Sequence, residues 1–280
     1  MAYPGGKAGA GVFQRLINQI PPHAVYVEPF LGDGAILRRK RPAARSIGID
    51  LDAEALQLWT GGELPGLELY RCDGIEWLRH QFGWHRVDGS AGPAEPLNPP
   101  AVASGGISAG CRSSLPAGPG SLPAPAAAGI SGGRSSWFVY ADPPYPLHTR
   151  SSGPMYRHEM TEADHARLLE TLLWLPCRVM VSSYWNEQYA DALAGWRSFS
   201  FQATTRGGLA TESVWCNFGP PAELHDYRFL GGNKRERERI RDKVQRWAEG
   251  LQRLPALERQ AILAELSCSG RDISRPGTGE

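Results

Sequence analysis

Acidic side chains recur at one kind of place in this 280-residue sequence, the end of a short apolar run. Glu28 ends "HAVYVE", Asp50 ends "RSIGID" and Asp73 follows "LELYRC". Asp142 follows the run "WFVYA" and is itself followed by Pro-Pro-Tyr, residues 143–145. If these runs are parallel strands, their carboxyl ends lie at one edge of a sheet, where carboxylates can accept hydrogen bonds from a ligand. The spacing therefore predicts a ligand site at that edge.

A glycine-rich loop follows the first of these strands in "EPFLGDG", with Gly32 and Gly34. Glycines let a ligand approach the backbone closely, and a strand, a glycine loop and a helix in succession are typical of nucleotide sites. A simple tight turn would use the same residues. Asp50, about twenty residues further on, favours the ligand site, because a carboxylate there can bind both hydroxyls of a ribose.

Strand-like and helical stretches alternate along the chain. The predicted strands are 23–30, 45–52, 67–72, 137–141 and 177–183, and the predicted helices are 9–20, 53–59 and 161–173, the last capped by Thr161. Such alternation predicts the α/β class with a doubly wound, mostly parallel sheet. Two further runs, 199–204 and 212–218, are separated by a glycine-bearing turn and predict a closing antiparallel hairpin.

The segment from about 86 to 135 has a different composition. Of the 47 residues from 89 to 135, 36 are Gly, Pro, Ala or Ser, and none is aromatic. Such a segment cannot bury enough apolar surface to order itself. We interpret it as a low-complexity, disordered insertion within one domain, because neither flank looks complete alone. A linker between two domains is the alternative.

The end of the chain is basic. Between 228 and 253 there are nine Lys or Arg residues against four Asp or Glu residues, and Ile240, Val244, Trp247, Leu251 and Leu254 follow helical spacing. Pro255 interrupts this helix, and 256–266 predicts a second one. The cations can meet nucleic-acid phosphates, or the helix can simply be solvated with internal Glu–Arg pairs.

Composition limits the class of protein. The formal net charge is +1, and five scattered cysteines without a CxxC pair indicate neither a disulfide framework nor a zinc site. No export signal and no apolar run long enough for a membrane helix are seen. We expect a soluble, cytoplasmic protein that needs no metal and does not contact a membrane.

The motifs together resemble the Dam-like adenine-N6 DNA methyltransferases, particularly their short phage-borne and prophage-borne members. "AYPGGK" (2–7) resembles the amino-terminal cofactor motif of that family, "EPFLGDG" its glycine loop, "IDLD" its ribose-binding acid, "CDG" its adenine-contacting strand end and "DPPY" its catalytic motif. The stretches 156–169 and 204–218 and the basic tail are also similar. The resemblance covers nearly the whole chain except the insertion.

The resemblance implies a Rossmann-like fold of the S-adenosylmethionine-dependent methyltransferases. Residues 1–225 would form the methyltransferase domain, interrupted by the insertion at about 86–135. Residues 226–280 would form a basic helical tail that packs on the domain and contacts DNA. The protein would be a monomer or a weak dimer.

The resemblance also implies the reaction. A methyl group would pass from S-adenosylmethionine to the exocyclic amine of an adenine flipped out of double-stranded DNA, leaving S-adenosylhomocysteine. The Asp142 carboxylate and the Pro143 carbonyl would accept the hydrogens of the amine, Pro144 would stiffen the turn, and Tyr145 would stack on the base.

Further residues take roles by the same resemblance. Lys7 would bind the cofactor carboxylate, Phe30 and Gly32 would line its methionine end, Asp50 would hold the ribose and Asp73 the adenine amino group. The remaining cofactor-binding predictions are Tyr3, Gly6, Glu28, Pro29, Gly34, Leu51, Gly74 and Asp142. The DNA-binding predictions are Arg206, Lys234, Arg235, Arg237 and Arg241. Glu28 stands where the family more usually has aspartate.

Three alternatives remain at this stage. The target can be the amine of cytosine in DNA or an adenine in RNA, or the chain can be an inactive DNA-binding remnant. Pro176-Cys177 is similar to the proline-cysteine pair of the enzymes that methylate carbon 5 of cytosine. Here the pair begins an apolar strand, so we interpret Cys177 as a core residue. His158 and His165 would lie near DNA or cap a helix. Because the insertion has no aromatic and few charged residues with which to read bases, we expect weak or short sequence recognition.

Overall fold

The computed structural model describes residues 7–9, 11–59, 64–84, 136–150, 153–205 and 208–269. The predicted insertion, together with Tyr3, Gly6 and Arg206, lies outside the described residues. The chain divides into two compact units, Met1–Tyr227 and Arg228–Glu280.

The first unit is built on one seven-stranded sheet. Its strands are β1 Val25–Glu28, β2 Arg45–Asp50, β3 Leu67–Arg71, β4 Trp137–Ala141, β5 Arg178–Tyr184, β6 Arg197–Thr205 and β7 Gly208–Cys216. The order across the sheet is β3-β2-β1-β4-β5-β7-β6. The first five strands in this order pair in parallel, and β7 pairs antiparallel with both β5 and β6. The predicted α/β class, with a doubly wound, mostly parallel, Rossmann-like sheet, is confirmed.

Helices connect the parallel strands, as βαβ crossovers require. The connecting helices are α2 Ala35–Arg39, α3 Ala53–Gln57, α4 Gly74–Phe82 and α5 Glu162–Trp174, while α1 Val12–Ile17 precedes β1 and α6 Glu187–Ala192 follows β5. Thr161 caps α5 as predicted: its hydroxyl accepts from the Asp164 backbone N–H at 3.2 Å, and the Asp164 carboxylate accepts from the Thr161 backbone N–H at 3.0 Å.

Apolar residues of the strands pack on both faces of the sheet. One face carries Val27, Ile49, Val139 and Val181, which form a core with buried residues of α4, α5 and α6. The alternate residues of the same strands, including Tyr26, Phe138 and Met180, are buried on the other face. Burial on both faces explains why these strands read as continuous apolar runs.

The second unit contains two helices, α7 Lys234–Gln252 and α8 Ala256–Ser269, separated at Pro255 as the sequence predicts. The α7 helix begins at the Asn233 cap, whose side chain accepts from the Glu236 backbone N–H at 2.9 Å. None of the α7 residues is buried, and Trp247 of its apolar stripe is 68% exposed. Among the described residues, no helix has both the length and the apolar character needed to cross a membrane.

Candidate active site

A cleft opens at the carboxyl ends of the parallel strands, where the strand order reverses between β1 and β4. Ligands of doubly wound sheets bind at this switch point, because the connections on its two sides run to opposite faces and leave a crevice. The cleft is lined by residues of the loops that follow β1, β2, β3 and β4 and by the segment 156–167 before and within α5.

Asp50 fixes the glycine loop of this cleft. One of its carboxylate oxygens accepts from the Gly32 backbone N–H at 2.8 Å, and the other accepts from the Asp52 backbone N–H at 2.8 Å. Burial raises the pKa of Asp50, although these two hydrogen bonds oppose the rise. Each oxygen keeps further acceptor capacity toward the cleft, as a site for ribose hydroxyls requires.

Asp73 is the cap of α4 as well as a cleft residue. Its Oδ1 accepts from the Ile75 backbone N–H at 2.7 Å, and its Oδ2 accepts from Arg167 at 3.0 Å. The helix-cap hydrogen bond therefore uses one of the two carboxylate oxygens of Asp73, Oδ1. Arg167, which sequence reasoning did not select, places a cation beside the other.

The Asp142 carboxylate is held by three side-chain donors. Its Oδ2 lies 2.8 Å from the Lys7 ammonium, and its Oδ1 accepts from the Ser182 hydroxyl at 2.8 Å and from the Tyr145 hydroxyl at 3.1 Å. The Ser182 hydroxyl is also 2.9 Å from that of Tyr140, a buried residue of β4. Contacts on both oxygens fix the orientation of the carboxylate before any substrate arrives.

Lys7 is buried between two carboxylates. Its ammonium lies 2.8 Å from Asp142 and 3.8 Å from Glu212, and 4.9 Å from the centre of the Tyr145 ring. Burial by itself lowers the pKa of Lys7, but the two carboxylates outweigh burial and raise it above its ordinary value. Lys7 is therefore a permanent cation of this site.

Glu28 does not face the cleft. It is buried, and its Oε1 accepts from the Tyr26 hydroxyl at 2.6 Å and from the Leu37 backbone N–H at 3.0 Å. Burial raises its pKa to about 8. In this structure Glu28 ties β1 to the start of α2, behind the glycine loop.

The segment after the DPPY motif supplies one wall of the cleft. Tyr156, Arg157, His158, Glu159 and Met160 all line it. Arg157 reaches across to the start of α3 and pairs with Asp52 at 3.2 Å and with Glu54 at 2.7 Å. The resemblance of the stretch 156–169 to the Dam-like sequences was the available signal, but no single residue in it stands out by type or spacing.

The predicted site residues that the structure describes therefore divide into four groups. Those that line the cleft are Pro29, Phe30, Gly32, Asp50, Leu51, Asp73, Gly74, Asp142 and Pro144. Lys7 and Tyr145 instead contact Asp142 from the side, while Glu28, Gly34 and Pro143 are not cleft residues. The predicted DNA-binding residues Lys234, Arg235, Arg237 and Arg241 all lie on α7 of the second unit. Their roles stay predictions.

Cys177, which the sequence predicts to be a core residue, and His165 are both buried. Cys177 is buried, and burial raises the pKa of its thiol to about 12, which suits a structural cysteine rather than a nucleophile. His165 is 1% exposed and bonds through Nδ1 to the Tyr189 hydroxyl at 2.9 Å, while His158 lines the cleft. Among the described residues, no group of three or more His, Cys, Asp or Glu side chains is placed to hold a metal ion.

The fold and the site together define a Rossmann-like α/β protein with a ligand cleft at its switch point. No protein-family model matches the chain, and no curated protein matches it. Solved structures similar to it include TrmK of M. capricolum in complex with S-adenosyl-homocysteine, at 8% identity and a TM-score of 0.38, covering 94% of this chain and 97% of that one.

Two other similar structures are the 23S rRNA methyltransferase ErmE and an rRNA methylase from Streptococcus thermophilus. ErmE is 12% identical with a TM-score of 0.34, covering 92% of this chain and 87% of that one. The rRNA methylase is 13% identical with a TM-score of 0.35, covering 74% of this chain and 92% of that one. At identities and TM-scores this low, the likenesses assign no activity to this chain.

Proposed function

We propose that this chain is a Dam-like methyltransferase that uses S-adenosylmethionine to methylate the exocyclic amine of adenine in double-stranded DNA. The observation that carries the proposal is that Asp142 of the DPPY motif and the glycine loop held by Asp50 line one cleft. A nucleotide-like cofactor and a target amine need such neighbouring subsites, because transfer requires the two reacting atoms to be aligned at close range.

The cofactor half of the cleft fits the chemistry of S-adenosylmethionine. Asp50 offers carboxylate oxygens to ribose hydroxyls, and Phe30 and Ile75 provide apolar surface. Asp73 and Arg167 together present an acceptor and a donor, which complement the edge of an adenine ring. When bound, the cofactor supplies a methyl group activated by the sulfonium charge.

The Asp142 half fits an exocyclic amine. The carboxylate accepts a hydrogen of the amine and orients the nitrogen lone pair away from the ring, toward the cofactor half of the cleft. Pro143 and Pro144 restrict the backbone that carries the carboxylate. The ring of the buried Tyr145 packs against that of Tyr184, with ring centres 4.7 Å apart, and the half-buried Tyr184 is the ring of this pair that is open to a flipped base.

Double-stranded DNA is proposed as the partner on the basis of the basic tail and the family resemblance. Lys234 and Arg241 are exposed cations of α7, with side chains 85% and 67% exposed. Their ion pairs with neighbouring acids are surface pairs, which contribute little and exchange readily for phosphates. Binding should therefore weaken steeply as the salt concentration rises.

The test is to incubate the protein with labelled S-adenosylmethionine and either unmethylated double-stranded DNA or RNA of matching sequence, then to digest and identify the modified nucleoside. We expect N6-methyladenine in DNA, and a loss of at least about a thousandfold in Asp142→Ala. The matched control is Asp191→Ala, which removes an exposed carboxylate of α6.

Each of the other outcomes would indicate a different function. Label in N4-methylcytosine or only in RNA would contradict the proposed target, and an inactive wild-type protein that still binds DNA would indicate the remnant. Equal activity of Asp142→Ala and the wild type would contradict the proposed site.

A further inference from the structure

A second buried carboxylate, Glu212, stands beside the Asp142 site and has no role by sequence or family resemblance. It lies on β7 directly opposite Tyr184 of β5, so the two side chains share a face of the sheet. Glu212 is 6% exposed. Its Oε1 is 3.8 Å from the Lys7 ammonium, and among the described residues its Oε2 has no hydrogen-bond partner.

A buried carboxylate oxygen without a partner is costly, so it calls for an explanation. The first part of the explanation is position. Lys7 lies between Glu212 and Asp142, and its ammonium has three hydrogens to direct. The ammonium contacts Asp142 through Oδ2, and the attraction of Glu212 on its other side holds it in that position, which leaves acceptor capacity on Oδ2 for a substrate amine.

The second part is charge. Lys7 and Asp142 at 2.8 Å form a pair whose charges cancel, so this pair alone gives the target site no net charge. Burial raises the pKa of Glu212, and the Lys7 ammonium opposes this rise; ionised Glu212 adds one negative charge at a buried position, where the low dielectric makes it act over several ångströms. Tyr140, Tyr145 and Tyr184, the nearby phenols, stay neutral because burial raises the pKa of each.

We propose that Glu212 is a positioning residue of the methyl transfer, which holds Lys7 and gives the target-amine site its net negative charge. This inference rests on the proposed function. As the nitrogen lone pair forms the N–CH3 bond and the electrons of the C–S bond stay on sulfur, the positive charge moves from sulfur to nitrogen. The extra proton on nitrogen is then accepted by the Asp142 carboxylate. A negative charge fixed beside the nitrogen stabilises this transition state more than the ground state.

The decisive variant is Glu212→Gln, which keeps the size of the side chain and removes its charge. With saturating DNA and S-adenosylmethionine, we expect kcat to fall roughly 10- to 100-fold, while KM for either substrate changes by less than about threefold. Glu212→Asp restores the charge on a shorter side chain and should recover at least about half of that loss on a logarithmic scale.

The matched control is Asp226→Asn, which neutralises another buried carboxylate, one that accepts from the Arg41 backbone N–H at 2.8 Å away from the cleft. It should lower the temperature of unfolding without lowering kcat. A kcat of Glu212→Gln within about threefold of wild type would overturn the inference, as would equal losses in Glu212→Gln and Glu212→Asp. An inactive wild type would instead contradict the proposed function on which the inference rests.

Discussion

Arg150 and Glu159 form a part-buried, bidentate ion pair at the wall of the cleft, with nitrogen–oxygen distances of 3.0 Å and 2.7 Å. The Arg150 side chain is 4% exposed. Its guanidinium also donates to the Tyr145 carbonyl oxygen, while Glu159 accepts from the backbone N–H groups of Met155 and Tyr156. The pair thereby ties the cleft wall to the DPPY motif.

We expect Glu159→Gln to destabilise this wall. Loss of the carboxylate leaves the buried Arg150 cation without its partner, which should cost about 3 kcal/mol in the free energy of unfolding and weaken binding of S-adenosylhomocysteine. Urea unfolding and titration calorimetry measure the two effects. Glu162→Gln, an exposed change one turn away, is the control. A Glu159→Gln protein as stable as that control would show that the pair is dispensable.

Asp50→Asn should weaken both the fold and the binding of the ligand. Asparagine has one acceptor oxygen, so it cannot accept from both Gly32 and Asp52, and the glycine loop loses one anchor. We expect a loss of stability of about 1–2 kcal/mol and at least about tenfold weaker binding of S-adenosylhomocysteine. The control is Asp191→Asn, which neutralises an exposed carboxylate of α6 that does not line the cleft, so both quantities should stay near wild type. Equal affinities of the two variants would speak against a ribose role for Asp50.

Gly34 is required by space as well as by backbone conformation. Its φ is 60°, and a Cβ there would lie 2.0 Å from the Trp59 ring. Gly83 has a similar φ of 73° but nothing within 4 Å of a Cβ. Gly83→Ala should therefore cost about 1 kcal/mol for the left-handed conformation, and Gly34→Ala at least about 3 kcal/mol. Chemical unfolding of the two variants gives the comparison, and equal losses would mean that Trp59 moves aside.

His165 should make stability depend on pH. Burial lowers its pKa from 6.5 to about 4, so between these values the unfolded chain binds a proton that the folded chain does not. Stability then falls as the pH drops, by about 1.4 kcal/mol per pH unit from this residue. We expect the difference in unfolding free energy between wild type and His165→Gln to change with that slope below pH 6.5. A difference independent of pH would show that the pKa of His165 is the same in the folded and the unfolded chain.

Local patterns predicted much of the fold. Each predicted strand is present. The parallel strands are recognisable in the sequence because a strand that is buried on both faces is a short apolar run, and acids and glycines mark its end. The helices α4 and α6 were not predicted. Nine and six residues long, they have too few turns for a clear helical period. The hairpin strands are also longer than predicted, since β6 and β7 pair up to Thr205 and Gly208 at the turn.

The sequence by itself determined which residue types stand at the carboxyl ends of the strands, because strand, loop and helix propensities act over a few residues. Asp50, Asp73 and Asp142 were found in this way. Only the tertiary structure decided what those carboxylates contact. Lys7, Ser182 and Glu212 reach the Asp142 site from distant parts of the chain, because strand order and antiparallel register bring them there. No local pattern encodes such contacts, since they depend on how the whole sheet assembles.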